Sequence, residues 1–262
     1  MRDDHARALL PAWLRYPLRA LEVEPRLLSA ARLASLGLLD HVSLRTAAID
    51  DELRTALARG ARQLVILGAG LDARAYRLHD LHDVTAFEVD HPSTQAAKRS
   101  RLGSTEPTAR SVTFVGVDFE RDSLADRLAG AGHDVEQPTA WIWEGVTPYL
   151  RAEAIDATLQ VLEARSAAAS TLLTTYLTPS LVELALPVEI VPKPILRASF
   201  SAIGEPIESA FEPDELRALL AAKSFELTSD SGSRDWAARF LVGEPPRVVV
   251  SERLAVATRT PS

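Results

Sequence analysis

The sequence predicts a doubly wound α/β fold around a sheet of seven strands. Three observations predict it. Short apolar runs alternate with helix-length segments over most of the chain. The first run, Gln63 to Leu67, is apolar in its interior and stops at glycine, as strands buried on both faces of a parallel sheet do. The last part of the chain reads helix, strand, short helix, strand, an order that suits a closing antiparallel hairpin.

Each element has a local reason. Residues 1 to 60 read as helical. Leu27, Leu28, Ala31, Ala34, Ser35 and Leu38 fall near helical spacing, and a second helix is expected from Leu44 to Arg59. The period then changes to that of strands. They are expected at Gln63–Leu67, Val84–Val89, Val112–Val117, Thr139–Trp143 and Leu172–Tyr176. Between them, Pro92 opens a helix running to Leu102, since proline is favoured in a first turn. Further helices are expected at Ser123–Ala131 and Arg151–Ala168. Residues 178 to 213 hold six of the 16 prolines and read as an insertion outside the sheet. A helix near Glu212–Ala222, a strand at Phe225–Thr228, a short helix at Asp235–Phe240 and a strand at Arg247–Ala257 complete the pattern.

Composition removes several function classes. The 262 residues are 47% hydrophobic and 25% charged, enough for a large core. Asp+Glu number 36 against 29 Lys+Arg, a net charge of -7, which argues against a general nucleic-acid binder. The chain has no cysteine, and so no disulfide framework, thiolate zinc site or cysteine nucleophile. The start, Met1-Arg2-Asp3-Asp4-His5, does not resemble a secretory signal. The most apolar later stretch, Leu181 to Leu196, is broken by Glu183, Pro187, Glu189, Pro192, Lys193 and Pro194, so no membrane span is expected. A soluble, cytoplasmic protein is the expectation.

In an open parallel sheet, ligands lie beyond the carboxyl ends of the strands. The first strand here ends in Gly68-Ala69-Gly70-Leu71-Asp72, the second in Glu88-Val89-Asp90, the third in Asp118-Phe119 and the fourth in Glu144-Gly145. Carboxylates collected on one apolar edge call for a ligand or for solvent. A glycine turn lets backbone approach a ligand without a Cβ in the way. Asp90, 22 residues after Gly68, stands where an acid can accept both hydroxyls of a ribose. Three nucleotide classes compete. A dinucleotide would meet Asp72 close to its pyrophosphate, and no Tyr-x-x-x-Lys pair accompanies the turn, since Tyr149 precedes Glu153 and Tyr176 precedes Ser180 at that spacing. A phosphate loop is excluded, because no lysine follows a glycine. An acidic rim without lysine suits S-adenosylmethionine, which is cationic and carries no phosphate.

The motifs QLVILGAGLDARAYRL (63–78), FEVDHP (87–92), VDFERD (117–122) and WEGVTPYL (143–150), with the tail RVVVSERLAVATR, closely resemble the leucine carboxyl methyltransferase-like family. That family includes bacterial S-adenosylmethionine-dependent methyltransferases and polyketide carboxyl O-methyltransferases. The resemblance runs from about Arg45 to Arg259. It implies a Rossmann-like class I methyltransferase fold, mostly parallel with the last strand antiparallel. It also implies an N-terminal helical extension or lid over residues 1–60, and a cofactor-binding domain over 61–262 whose 178–213 insertion faces the acceptor.

Residue by residue, the resemblance implies that Gly68, with Ala69 and Gly70, lines the methionine end of the cofactor and that Asp90 holds the ribose. Asp118 and Phe119 would cover the adenine, Glu144 would lie near the methionine part, and Arg45 would pair with the cofactor carboxylate. Tyr149 would point to the methyl acceptor and is the candidate catalytic residue. Many members carry Arg where this chain has Glu120, which argues against a protein C-terminal leucine as the acceptor. The implied reaction is O-methylation of a small, fairly apolar metabolite, on a carboxylate first and a phenol or enol next, without a metal. Two other readings stay open on the residues: an NAD-dependent oxidoreductase and a non-catalytic cofactor-binding member.

The other candidates have plainer accounts. Trp141 and Trp143 alternate on the fourth strand as core residues do. His79 and His82 read as solvated, and His91 as shaping the turn before its helix.

Overall fold

The computed structural model describes residues 9, 38–118, 121–184, 207–241 and 248–261. The helix expected around Leu27, most of the 178–213 insertion, Phe119 and Glu120 lie outside these residues. Strand β1 (Gln63–Leu67) is buried at every position. Its side chains alternate between two cores. Leu64 and Ile66 face one cluster, while Val65 and Leu67 face the other. A strand covered on both faces favours apolar positions, so Leu64–Leu67 read as a continuous apolar run, while the buried Gln63 at its start is satisfied by Asp134 N and O.

Around it lie β2 (Thr85–Asp90), β3 (Ser111–Gly116), β4 (Thr139–Trp143), β5 (Thr171–Leu184), β6 (Phe225–Gly232) and β7 (Val248–Arg259). Their order is β3-β2-β1-β4-β5-β7-β6. Strands β1 to β5 pair in parallel, and β7 runs antiparallel to both β5 and β6. The expected seven-stranded sheet with one reversed last strand is therefore present. The order reverses beside β1, between its neighbours β2 and β4, so the switch point falls at the glycine turn.

Helices cover both faces. On one lie α1 (Leu38–Ala58), the single turn α2 (Arg74–Arg77), α3 (Pro92–Leu102) and α7 (Ser233–Phe240). Leu44, Ile49 and Leu53 of α1 join Trp236 of α7 and Ile142 of β4 in that core. Over 38–58, the segment expected as an extension or lid thus supplies part of the core. The other face carries α4 (Leu124–Gly130), α5 (Ala152–Ala164) and α6 (Pro213–Ala221), through Leu128, Ile155, Leu159, Leu216 and Leu220. Trp141 and Trp143 are buried in the same cluster, and Trp141 Nε1 donates to Ser166 Oγ at 2.8 Å.

Helix starts follow local chemistry. Pro92 occupies the first turn of α3, and the His91 side chain accepts from Ser93 N. Glu212 and Glu215 form a reciprocal capping box at α6. Several boundaries differ from expectation: α5 ends at Ala164, four residues before Ala168, and β6 runs four residues past Thr228, to Gly232. Helix α1 begins six residues earlier than Leu44, at Leu38. Strand β5 runs on to Leu184, through a register shift between Leu177 and Val182, because β7 is long enough to pair with it there. The insertion expected from residue 178 therefore begins as strand. No helix among the described residues is long and apolar enough to cross a membrane.

Candidate active site

The turn after β1 is too short to hold its own shape. Ala69–Leu71 forms one 3₁₀ turn, entered at Gly68 with φ 76° and ψ 46°. Both glycines are there for space. A Cβ on Gly68 would stand 2.7 Å from Val146 Cγ2, and one on Gly70 would stand 2.5 Å from Thr94 Cγ2 and 3.0 Å from Asp90 Oδ2. The turn is thus pressed against the end of β4 on one side and the start of α3 on the other.

Asp90 ends β2 and fastens the turn from below. Its Oδ2 accepts from Gly70 N at 2.7 Å, and its Oδ1 accepts from His91 N at 2.7 Å. One carboxylate therefore joins the turn to the start of α3. Asp118, past the end of β3, lies alongside, because Val117 N donates to Asp90 O at 3.0 Å. Its own N–H donates to Asp122 Oδ2 at 2.9 Å, and its carboxylate lies 3.7 Å from Arg121 Nε. The Asp118 N–H bond and Arg127 together hold the Asp122 carboxyl below the usual range.

Glu144, at the end of β4, is the node of a buried ion chain. Its Oε1 accepts from Arg45 Nε at 2.8 Å, and its Oε2 accepts from Arg74 Nη1 at 2.8 Å. Arg45 also grips Glu252 of β7 at 2.7 Å and 2.9 Å. Glu252 meets His41 Nε2 at 2.6 Å, and His41 Nδ1 meets Ser233 Oγ at 2.7 Å. On the other side Arg74 pairs with Asp72 and, at 2.8 Å, with Asp50. Arg77 completes the chain at Asp50, 2.6 Å away. Burial opposes the charge on Glu252, yet the bond from His41 and the charge of Arg45 win and bring its carboxyl down to about 2. Burial likewise opposes the charge on Arg74, and the surrounding carboxylates hold its pKa well above the ordinary value.

Beneath the turn sits a second buried pair. Glu88 of β2 is 0% exposed and Lys98 of α3 is 1% exposed. Lys98 Nζ lies 2.6 Å from Glu88 Oε2 and donates to Ala69 O at 2.8 Å and Asp72 O at 2.6 Å. Burial pushes the Glu88 carboxyl up to about 7, against the pull of Lys98.

The sequence-expected residues Gly68, Ala69, Gly70, Asp90 and Glu144 thus meet at one edge, with Arg45 tied to Glu144 and Asp118 beside Asp90. Phe119 lies outside the described residues. Tyr149 follows on the 3₁₀ turn Thr147–Tyr149 and is 38% exposed. That turn is anchored by Thr147 Oγ1 on Thr175 O at 2.6 Å and by Ser209 Oγ on Thr147 O at 2.8 Å. Arg45, expected to meet a cofactor carboxylate, is engaged by two protein carboxylates. Asp72, expected to repel a pyrophosphate, is paired with Arg74, so its charge is offset. Sequence reasoning missed Arg74, Asp50, His41, Lys98 and Glu252 as parts of the site. The available signal was charge inside apolar strands, at Glu88 and Glu252, since such charges need buried partners. Among the described residues, no group of acids and histidines could hold a metal ion.

Fold and edge together define a Rossmann-like domain with an acid-rich edge at its switch point. The leucine carboxyl methyltransferase family matches residues 1–163, and the chain belongs to that family. A relative from Frankia alni, named "Putative S-adenosyl-L-methionine-dependent methyltransferase", is 41% identical over 160 residues, covering 61% of this chain and 56% of that protein. The chain thus matches little more than half the length of this curated relative. Two solved structures share the fold. A DUF574 family protein from Streptomyces avermitilis superposes with a TM-score of 0.56 at 16% identity, over 84% of this chain and 82% of that one. An O-methyltransferase family protein from Burkholderia thailandensis gives 0.52 at 15% identity, over 92% and 62%.

Two predictions follow from the buried charges. Arg74→Leu leaves Asp50, Asp72 and Glu144 short of a partner. It should cost about 3–5 kcal/mol in urea unfolding at neutral pH. Folding favours protonated Glu88, so its stabilising effect is full below about pH 4.5 and is lost as pH rises through about 7. Glu88→Gln should flatten the stability profile in that window, and an unchanged slope would assign it to other groups.

Proposed function

We propose that this chain is an S-adenosylmethionine-dependent methyltransferase. The observation that carries the proposal is the acid-rich glycine edge inside a member of this family. Four carboxylates of the ion chain, Asp50, Asp72, Glu144 and Glu252, stand against three guanidinium groups, Arg45, Arg74 and Arg77. Asp90 and Asp118 add negative charge at the same edge. Such a rim favours a cationic ligand over a phosphorylated one. Gly68 and Gly70 let the turn pack against Val146, Thr94 and Asp90, which brings the Asp90 carboxylate to the turn. The family of the chain and the name of its Frankia relative support the same cofactor.

The roles follow from placement. Asp90 would accept the ribose hydroxyls, Asp118 the adenine amino group, and Glu144 would face the cationic methionine end. Arg45 stands beside Glu144, where a ligand carboxylate would compete with Glu144 and Glu252 for its guanidinium. Phe119 is proposed to pack on the adenine. When bound, the cofactor supplies an electrophilic methyl group on a sulfonium, already a good leaving group. The protein's part is then alignment and exclusion of water. Tyr149 would orient the acceptor from its anchored turn.

The proposed acceptor is a small, fairly apolar molecule methylated on oxygen, a carboxylate first and a phenol or enol next. A carboxylate is ionised at neutral pH and needs no general base. The Ser233–His41–Glu252 arrangement is buried, with Ser233 and His41 each 2% exposed, and so offers no accessible base to an acceptor. Residues 1–60 and the 178–213 insertion are proposed to border the cofactor and the acceptor.

Titration with S-adenosylhomocysteine should show binding, whereas binding of NADH alone would reverse the assignment. Asp118→Ala and Asp90→Asn should each weaken that binding by about 1–3 kcal/mol, roughly 5- to 150-fold, without loss of fold. Unchanged affinity in both variants would remove the site assignment. Incubation with isotopically methyl-labelled cofactor and cell extract, read by mass spectrometry, should yield a labelled methyl ester. Tyr149→Phe should lower turnover more than cofactor affinity; the reverse result would make Tyr149 a structural residue.

A further inference from the structure

We infer that Lys98, held by Glu88, is the positioning residue of the glycine turn: its buried ammonium fixes the carbonyls of Ala69 and Asp72 and so sets the face that the turn offers to a ligand. The inference rests on the proposed function for its ligand, but its geometry stands on the protein alone.

An ammonium has three donors and no acceptor. Two of them donate to Ala69 O at 2.8 Å and Asp72 O at 2.6 Å, and the ammonium also lies in ion-pair contact with Glu88 Oε2 at 2.6 Å. The two carbonyls bracket the 3₁₀ turn Ala69–Leu71, so the lysine grips the turn at both ends. Asp90 holds the same turn by its Gly70 N–H. The turn is therefore clamped through its amide by one side chain and through its carbonyls by another. Three residues of 3₁₀ turn supply little ordering of their own, so the clamp decides their conformation.

Stability gives no reason for this pair. Removing two charges from water is costly, and a well-packed apolar pair commonly does as well or better. Glu88 is left poorly satisfied, because beyond the ion-pair contact with Lys98 neither of its carboxylate oxygens has a hydrogen-bond partner among the described residues. The groups that bear on the pair come from every neighbouring element. Asp72 and Asp90 act on Glu88 from the turn and from β2, and the Tyr76 ring lies 5.8 Å from Lys98 Nζ. A costly buried pair whose bonds end on ligand-side backbone is accounted for by the placement of that backbone.

The test separates positioning from stability. The double variant Lys98→Met, Glu88→Gln removes both charges and leaves no lone buried ion. Loss of the two buried charges offsets loss of the donor to two carbonyls, so the variant should still unfold cooperatively, within a few degrees of the wild-type temperature. Its affinity for S-adenosylhomocysteine by calorimetry should nevertheless fall at least tenfold, and the amides of residues 69–72 should exchange faster with deuterium in the ligand-free protein. The lack of cysteine permits a chemical rescue. Lys98→Cys is the only thiol in its chain. Alkylated with 2-bromoethylamine while unfolded and then refolded, it regains an ammonium at nearly the lysine position and should regain affinity, whereas S-propylation should not restore it. Wild-type affinity and exchange in the double variant, or equal affinity of the two alkylated proteins, would overturn the inference. A wild-type protein that does not bind S-adenosylhomocysteine would instead refute the proposed function, and the exchange measurement would still decide the role of Lys98.

Discussion

The site depends on one buried chain of charges. From Glu252 through Arg45, Glu144 and Arg74 to Asp72, Asp50 and Arg77, each link is a short ion pair, and His41 is hydrogen-bonded to Glu252 at one end. These residues come from α1, β7, the end of β4 and the segment after β1. Sheet pairing sets β1, β4, β5 and β7 side by side and so brings their ends close. The ion chain then fixes which side chains meet there, because each charge would otherwise be stranded out of water. Such a chain adds little net stability, yet it leaves few alternatives. Any other arrangement of the loops would break a pair, and a broken buried pair costs far more than an intact one contributes.

The same economy governs the turn. Gly68 and Gly70 give up side chains so that backbone can fit between Val146, Thr94 and Asp90. The freedom that glycine brings would leave the turn loose. Asp90 and Lys98 remove that freedom from two sides, one through an amide and the other through carbonyls. Local flexibility and buried restraint are therefore parts of one device, a glycine turn packed closely on its neighbours and fixed in shape. The excess of carboxylates around it gives that surface its sign.

Much of the architecture was legible in the residues. The run Gln63–Leu67 and the Gly68-Ala69-Gly70 stop located β1 and its turn, and Pro92 located the start of α3. The acids at the strand ends located the edge, since Asp90, Asp118 and Glu144 lie past apolar segments where packing has no use for them. Other features were hidden for identifiable reasons. The extension of β5 to Leu184 follows from pairing with β7, a contact between segments far apart in the chain. The partners of Arg45 were hidden in the same way: Glu252 lies 207 residues away and Glu144 lies 99 away.

By itself, then, the sequence determined what is written in short windows: the alternation of strand and helix, the apolar faces, the glycine turn and the sign of the charges beside it. These depend on the period of burial and on backbone freedom, which neighbouring residues set among themselves. Only the tertiary structure decided which charge meets which. Arg45 could have been solvated, Asp72 could have faced a ligand, and Lys98 could have pointed outward from its helix. Each was settled by the loss of water around it, which makes a charge seek the nearest opposite charge or carbonyl wherever in the chain that group belongs.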